Sequence, residues 1–100
     1  MARTRLQEGE VEQFLKQHPE WKREKDGLAR TFRLSDFSSA LAFVVELGLA
    51  AEKADHHPDL ELGWGKVRVF WTTHDANGIT ARDLELAERT ESLWHARRVG

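Results

Sequence analysis

The succession of elements in this chain predicts an α+β fold, a two-layer sandwich in which a four-stranded antiparallel sheet carries helices on one face. Three observations lead there. Apolar residues recur at helical spacing in three separate segments, while four short runs alternate with a period of two. These runs form two close pairs, each joined by a few turn-forming residues, and so read as hairpins. Pro19 and Pro58 fall where elements should change, and no repeat, low-complexity tract or linker interrupts residues 1–100, which read as one domain.

From Glu8 to Gln17, Val11, Phe14 and Leu15 sit at helical spacing, and His18-Pro19 ends the pattern, leaving His18 as a solvated helix-end residue. Trp21 to Glu24 and Leu28 to Leu34 flank Lys25-Asp26-Gly27, and Asp-Gly between strand-compatible runs signals a hairpin. Leu28, Arg30, Phe32 and Leu34 share one face of the second run. Ser35 can cap a second helix from Asp36 to about Ala54. In it Phe37, Leu41, Val44 and Gly48 form one stripe, and Phe43, Val45, Leu47, Leu49 and Ala50 cover much of the rest. A helix apolar on more than one side needs more than one partner, either the first helix or a second subunit.

After Pro58, Leu60, Leu62 and Trp64 alternate with polar residues or glycine, and Val67, Val69 and Trp71 alternate with Lys66, Arg68 and Phe70. Two strands joined near Gly63 to Gly65 follow. A polar loop, Asp75 to Gly78, then leads to Thr80-Ala-Arg-Asp83, a capping-box-like start for a last helix. That helix carries Ile79, Leu84, Leu86, Ala87 and Leu93 on its apolar positions. It ends near Arg97-Arg98, where basic side chains suit the dipole. Trp21, Trp71 and Trp94 read as core or interface aromatics.

The composition excludes several classes. With 15 Lys+Arg against 17 Asp+Glu the formal charge is −2, so there is no basic field for nucleic acid. The chain has no cysteine, hence no disulfide or thiolate site. Its start lacks the apolar core of a signal peptide and no run reaches membrane-spanning length, so a soluble cytoplasmic protein is expected.

The chemistry-bearing residues cluster. Three of five histidines lie in two motifs, Glu-Lys-Ala-Asp-His-His-Pro over residues 52–58 and Thr-Thr-His-Asp over residues 72–75. Histidine exchanges a proton near neutrality, so this cluster, flanked by Glu52, Asp55 and Asp75, suggests acid–base catalysis or a metal site. Glu52, Asp55 and His56 are spaced to face one way if the helix continues that far. Reversals of the chain can bring His56, His57 and His74 to one rim of the sheet.

Glu-Lys-x-x-His-His-Pro, Val67, Thr73-His74, Gly78-Ile79-Thr80 and Asp83 together resemble the pterin-4a-carbinolamine dehydratase family. The resemblance runs from about Trp21 to the final helix. It implies the same four-stranded antiparallel sheet with helices on one face. It also implies the removal of water from 4a-hydroxytetrahydropterin to give quinonoid dihydropterin, which recycles the cofactor of aromatic amino acid hydroxylases. The family's three catalytic histidines fall on His56, His57 and His74. Its pterin-contacting segments fall on Asp55 to His57 and Thr72 to Asp75. Glu52 and Asp55 would orient the imidazoles, backbone groups around Thr72, Thr73 and His74 would meet the pterin's amide edge, and Trp64 would supply an aromatic wall. Leu60 stands where many relatives carry an aromatic, a departure that bears on pocket shape.

Proton transfer by imidazole needs no redox step, so neither metal nor other cofactor is expected. A metal site from Glu52, His56, His57 and His74 is disfavoured because adjacent histidines project divergently. Asp83 reads as a helix-start residue. The expected partners are the pterin and further copies of the chain, as a homodimer or homotetramer, with a functional link to an aromatic amino acid hydroxylase. A non-catalytic binding or assembly module is the alternative, to be separated by an activity assay.

Overall fold

Three apolar helical stripes and two hairpins need one shared interior, and the chain supplies it by laying all three helices on the same side of the sheet. The computed structural model describes residues 4–99, apart from the side chains of residues 98 and 99. Of the residues read above, Met1 to Arg3 and the side chain of Arg98 lie outside those described. The elements are α1 (Glu8–Gln17), β1 (Lys22–Glu24), β2 (Gly27–Arg33), α2 (Phe37–Ala54), β3 (Asp59–Gly63), β4 (Lys66–Trp71), a 3₁₀ turn (His74–Ala76) and α3 (Ala81–Val99). The strands form one antiparallel sheet in the order β1-β2-β4-β3. The α+β sandwich expected from the sequence is the architecture observed.

α1 begins as its sequence asks: the Gln7 backbone N–H donates to the Glu10 carboxylate at 3.0 Å. Val11 and Phe14 are buried beneath it. His18 caps its C-terminus but is not simply solvated, since its ring stacks on Phe14 at 4.4 Å and it lies 3.4 Å from Glu88. In the first hairpin the turn is Lys25-Asp26, and Gly27 pairs with Glu24 inside the ladder. The positive φ falls on Lys25 at 51°, not on the glycine. Gly27 is needed for close approach: a Cβ there would lie 2.5 Å from both Phe70 Cζ and the Trp71 carbonyl. Gly27→Ala should therefore lower the free energy of unfolding by about 1–3 kcal/mol. Urea denaturation reads this as a lower midpoint, and an unshifted midpoint would contradict it.

β4 fulfils its alternation, with Val67, Val69 and Trp71 fully buried. They meet Leu28 and Phe32 of β2 and, from above, Ala40, Phe43, Leu47 and Ala51 of α2 and Leu86 and Ala87 of α3. Each fully buried large side chain in this set contributes roughly 1.5–3 kcal/mol. Arg30 shares the core side of β2 without an orphaned charge. Its guanidinium is bonded to Glu91, which also accepts from Trp21 Nε1 at 2.8 Å, and it lies over the rings of Phe32 and Trp94.

α2 departs from the expected phase. Its cap is Asp36, whose carboxylate accepts the Ser39 N–H at 2.8 Å, while Ser35 only faces the Ser39 hydroxyl. The bonds from Ser39 hold the Asp36 carboxyl below its ordinary value of 3.8. Its contribution to stability is thus present above that pH and lost as pH falls through the folded value. The buried stripe is Ala40, Phe43, Leu47 and Ala51, and the large apolar residues Phe37, Leu41, Val45 and Leu49 face outward, 43–68% exposed. Within one chain, α1 does not cover them. At the far end of α3, Arg97 lies 3.3 Å from Glu46.

Candidate active site

The end of α2 sets the first half of the site. Asp55 adopts the left-handed conformation at φ 55°, and its N–H and that of His56 return to the carbonyls of Glu52 and Ala51. This closes the helix in the Schellman manner. The helix therefore stops before Asp55 and His56, so these two do not share a helical face with Glu52. The left-handed residue instead turns His56 inward and leaves His57 outside. Arg82 of α3 fastens this corner by donating to the Ala54 carbonyl.

His56 is 6% exposed and its ring lies flat against Trp71, centroids 5.7 Å apart and planes 7° from parallel. Its Nε2 is 2.7 Å from Oδ1 of Asp83, which is completely buried. The other oxygen of Asp83 accepts from the Thr73 hydroxyl at 2.7 Å and the Thr80 N–H at 2.9 Å. An ionised carboxylate only accepts, so toward an ionised Asp83 the proton of this contact lies on His56 Nε2. His57 is exposed, with Nε2 2.8 Å from Glu52 Oε1.

The second half comes from the end of β4. Thr72 donates its hydroxyl to the Asp26 carbonyl at 2.6 Å, tying this end of the strand to the first hairpin. His74 is not the last strand residue but opens the 3₁₀ turn, which closes when the Asn77 N–H donates to the His74 carbonyl at 3.0 Å. A cavity of about 220 Å³ results, lined by Asp55, His56, His57, Thr72, His74 and Asp75. Its size is below the roughly 300–1,000 Å³ of drug-sized sites, in keeping with a small ligand.

Two expected contacts are placed elsewhere. Trp64 occupies the two-residue turn between β3 and β4, at the end of the hairpin remote from Asp59 and Trp71, and is 74% exposed. It does not line this cavity, because β3 carries the chain away from His57 to the turn and only β4 brings it back to Thr72 and His74. Thr73 is buried, and its hydroxyl is spent on Asp83 and Thr80. Its backbone N–H and carbonyl are both bonded to Gly78. It therefore supports the site from beneath. Glu52 reaches the site through His57. Asp55 shapes the corner by its backbone, and the residue that orients His56 is Asp83.

Asp83 is the functional residue that reading the sequence undervalued. Its helix-start position is as expected, but one carboxylate oxygen caps α3 and the other holds the histidine. The signal available was a short carboxylate in the third helical position, three residues after Thr80, the place of a helix cap. Among the described residues, no three His, Cys, Asp or Glu side chains are grouped to hold a metal ion.

The chain that carries this constellation has relatives. A model of the family described as Pterin 4 alpha carbinolamine dehydratase matches residues 4–93. A protein of Chloroflexus aurantiacus bearing the provisional name pterin-4-alpha-carbinolamine dehydratase is 43% identical over 89 residues, 89% of this chain and 96% of its own. A protein of the same provisional name from Novosphingobium aromaticivorans is 46% identical over 95 residues, 93% of this chain and 99% of its own. A crystal structure from Brucella melitensis, described as a transcriptional coactivator/pterin dehydratase, superposes with a TM-score of 0.85 at 33% identity, covering 90% of this chain and 98% of that one. A match across nine-tenths of the chain, with the two histidine motifs meeting at one cavity, makes this protein a member of the pterin-4a-carbinolamine dehydratase family.

Proposed function

We propose that the chain is a single dehydratase domain that converts 4a-hydroxytetrahydropterin to quinonoid dihydropterin and water, by histidine acid–base catalysis in the cytoplasm. The observation that carries this reading is the convergence of His56, His57 and His74 on one small cavity, with His56 held by the buried Asp83. In the reaction the C4a–O bond breaks as a protonated imidazole delivers its proton to the leaving hydroxyl. The lone pair of the neighbouring ring nitrogen forms the new C=N bond, and a neutral imidazole takes that nitrogen's proton. Water leaves and no electrons are transferred to or from the pterin, so the step asks for no metal or nicotinamide. His57 and His74, exposed at the mouth, are assigned the two proton transfers. His56 positions the ring from below, and Thr72 and Asp75 flank it. The product feeds the reductive recycling of the cofactor used by aromatic amino acid hydroxylases. The test is the dehydration of 4a-hydroxytetrahydropterin, followed optically against buffer alone. Acceleration proportional to protein is expected, and its absence in well-folded protein defeats the proposal.

The exposed stripe Phe37, Leu41, Val45 and Leu49 supports a homo-oligomer, a dimer or a tetramer, because four large apolar side chains in a row on one helix are a patch that soluble monomers rarely leave open. Light scattering should give a mass at least twice the 11.5 kDa of the chain. A monomer mass that does not change with concentration refutes it. The same stripe, with the coactivator description of the Brucella melitensis neighbour, favours a second reading, a binding or assembly role alongside catalysis. That role would survive loss of His57 and His74, whereas dehydration would not.

A further inference from the structure

Residues Arg5 and Leu6 run antiparallel across the segment that supports the histidines. The Leu6 N–H donates to the Ile79 carbonyl at 2.8 Å, and Arg5 is bridged to Thr80. The Arg5 guanidinium donates to the Asn77 carbonyl at 3.3 Å. Its methylene stem lies so close over Gly78 that a Cβ there would come within 2.4 Å of Arg5 Cδ. Each residue beneath this strap except Ile79 is one hydrogen bond from His74 or from a residue that supports the site. Asn77 closes the 3₁₀ turn onto the His74 carbonyl, Gly78 exchanges bonds of 3.1 and 3.4 Å with Thr73, and Thr80 bonds Asp83.

We propose that Arg5, with Leu6, is a positioning element for His74: the strap pins segment 77–80 and so fixes the turn that aims the imidazole into the cavity. Arg5 is exposed, so it adds little to the core. A single exposed hydrogen bond contributes about 1 kcal/mol or less to global stability. Its effect is local, because the carbonyl it holds belongs to Asn77, the left-handed residue at φ 54° that terminates the His74 turn. A Cβ at Gly78 would force the arginine stem to shift, since the Gly78 backbone lies between Arg5 on one side and Thr73 on the other. The inference rests on the dehydratase reading above, as far as its kinetic consequence goes.

The experiment compares Arg5→Ala, Arg5→Lys, Gly78→Ala and the Arg5→Ala/Gly78→Ala double variant in the full chain. Dehydration kinetics, amide hydrogen exchange at Asn77 and Gly78, and thermal melting are measured. Arg5→Ala should lower kcat about three- to tenfold with KM changed less than about twofold, the pattern of a misplaced catalytic group. Exchange at Asn77 and Gly78 should quicken while the melting temperature moves little. Arg5→Lys should recover most of the loss, because its stem still covers Gly78 and its ammonium can donate to the same carbonyl. Gly78→Ala should impair the parent yet add little to Arg5→Ala, since the clash disappears with the side chain. Parental kcat and parental exchange in Arg5→Ala overturn the proposal, as does a purely additive double variant. If the parent itself performs no dehydration, the functional reading fails, and exchange alone decides the strap: unchanged rates at Asn77 and Gly78 reject it, faster rates uphold it.

Discussion

His57→Ala and His74→Ala should each lower kcat by about 10²–10⁴-fold, the range that a positioned general acid or base supplies. The two side chains stand exposed at the mouth of the cavity and carry few core contacts, so far-UV circular dichroism of both variants should match the parent. His56→Ala behaves differently. With Nε2 against Asp83, its ring is assigned a positioning role in the proposed reaction, and its loss should raise KM more than it lowers kcat. Steady-state measurement on both 4a epimers separates the roles, since the epimer whose hydroxyl faces the missing imidazole suffers more. Near-parental kcat in all three variants on both epimers would falsify the acid–base assignment.

Asp83→Ala should destabilise the whole domain. The substitution strips the acceptor from three donors in a fully buried place, the His56 Nε2–H, the Thr73 hydroxyl and the Thr80 N–H. Unpaired buried donors and a broken buried pair together cost about 3–5 kcal/mol, which for a domain of this length lowers the melting temperature by roughly 12 °C or more. Asp83→Asn keeps the shape and one carbonyl oxygen, so it should melt between the parent and the alanine variant. Its turnover should nevertheless fall clearly, because an amide cannot accept from the cap and the histidine together. Calorimetry gives the first number and kinetics of the folded asparagine variant the second. An alanine variant that melts with the parent would show that the network carries no stability.

The sequence made some of this visible and hid the rest for physical reasons. Val67, Val69 and Trp71 were legible because a strand buried on one face must alternate. The bounds of α1 were legible because Val11, Phe14 and Leu15 keep helical spacing and His18-Pro19 ends it. The buried face of α2 was not. A helix apolar nearly all round has no readable phase, and the small Ala40 and Ala51, not the bulky Phe37 and Leu41, sit on the face that approaches the strands. The Asp-Gly pair marked the first turn correctly but not its geometry, because the glycine answers to Phe70 and Trp71 across the sheet. Both histidine motifs were plain in the sequence. The bond from His56 to Asp83 was not, since spacing along a helix reports only neighbours and these two meet only after the sheet has formed. Trp64 matched a role by type, and its turn sets it at the end of the hairpin away from the cavity.

The central strand pair has a consequence for how the site comes into being. Each hairpin closes locally, but β2 joins β4, with Leu28 opposite Trp71 and Phe32 opposite Val67, so this pairing must close a loop containing all of α2 and β3. Closing such a loop costs entropy before any contact repays it, the general reason non-local strand pairing is slow. His56 and His57 lie inside that loop, while His74 and Asp83 lie beyond its far end. No local piece of the chain, neither hairpin nor helix, holds enough of the cavity to act. The assembled cavity is therefore a property of the closed topology alone, and dehydration by the proposed site would report the completion of folding more strictly than helix content does.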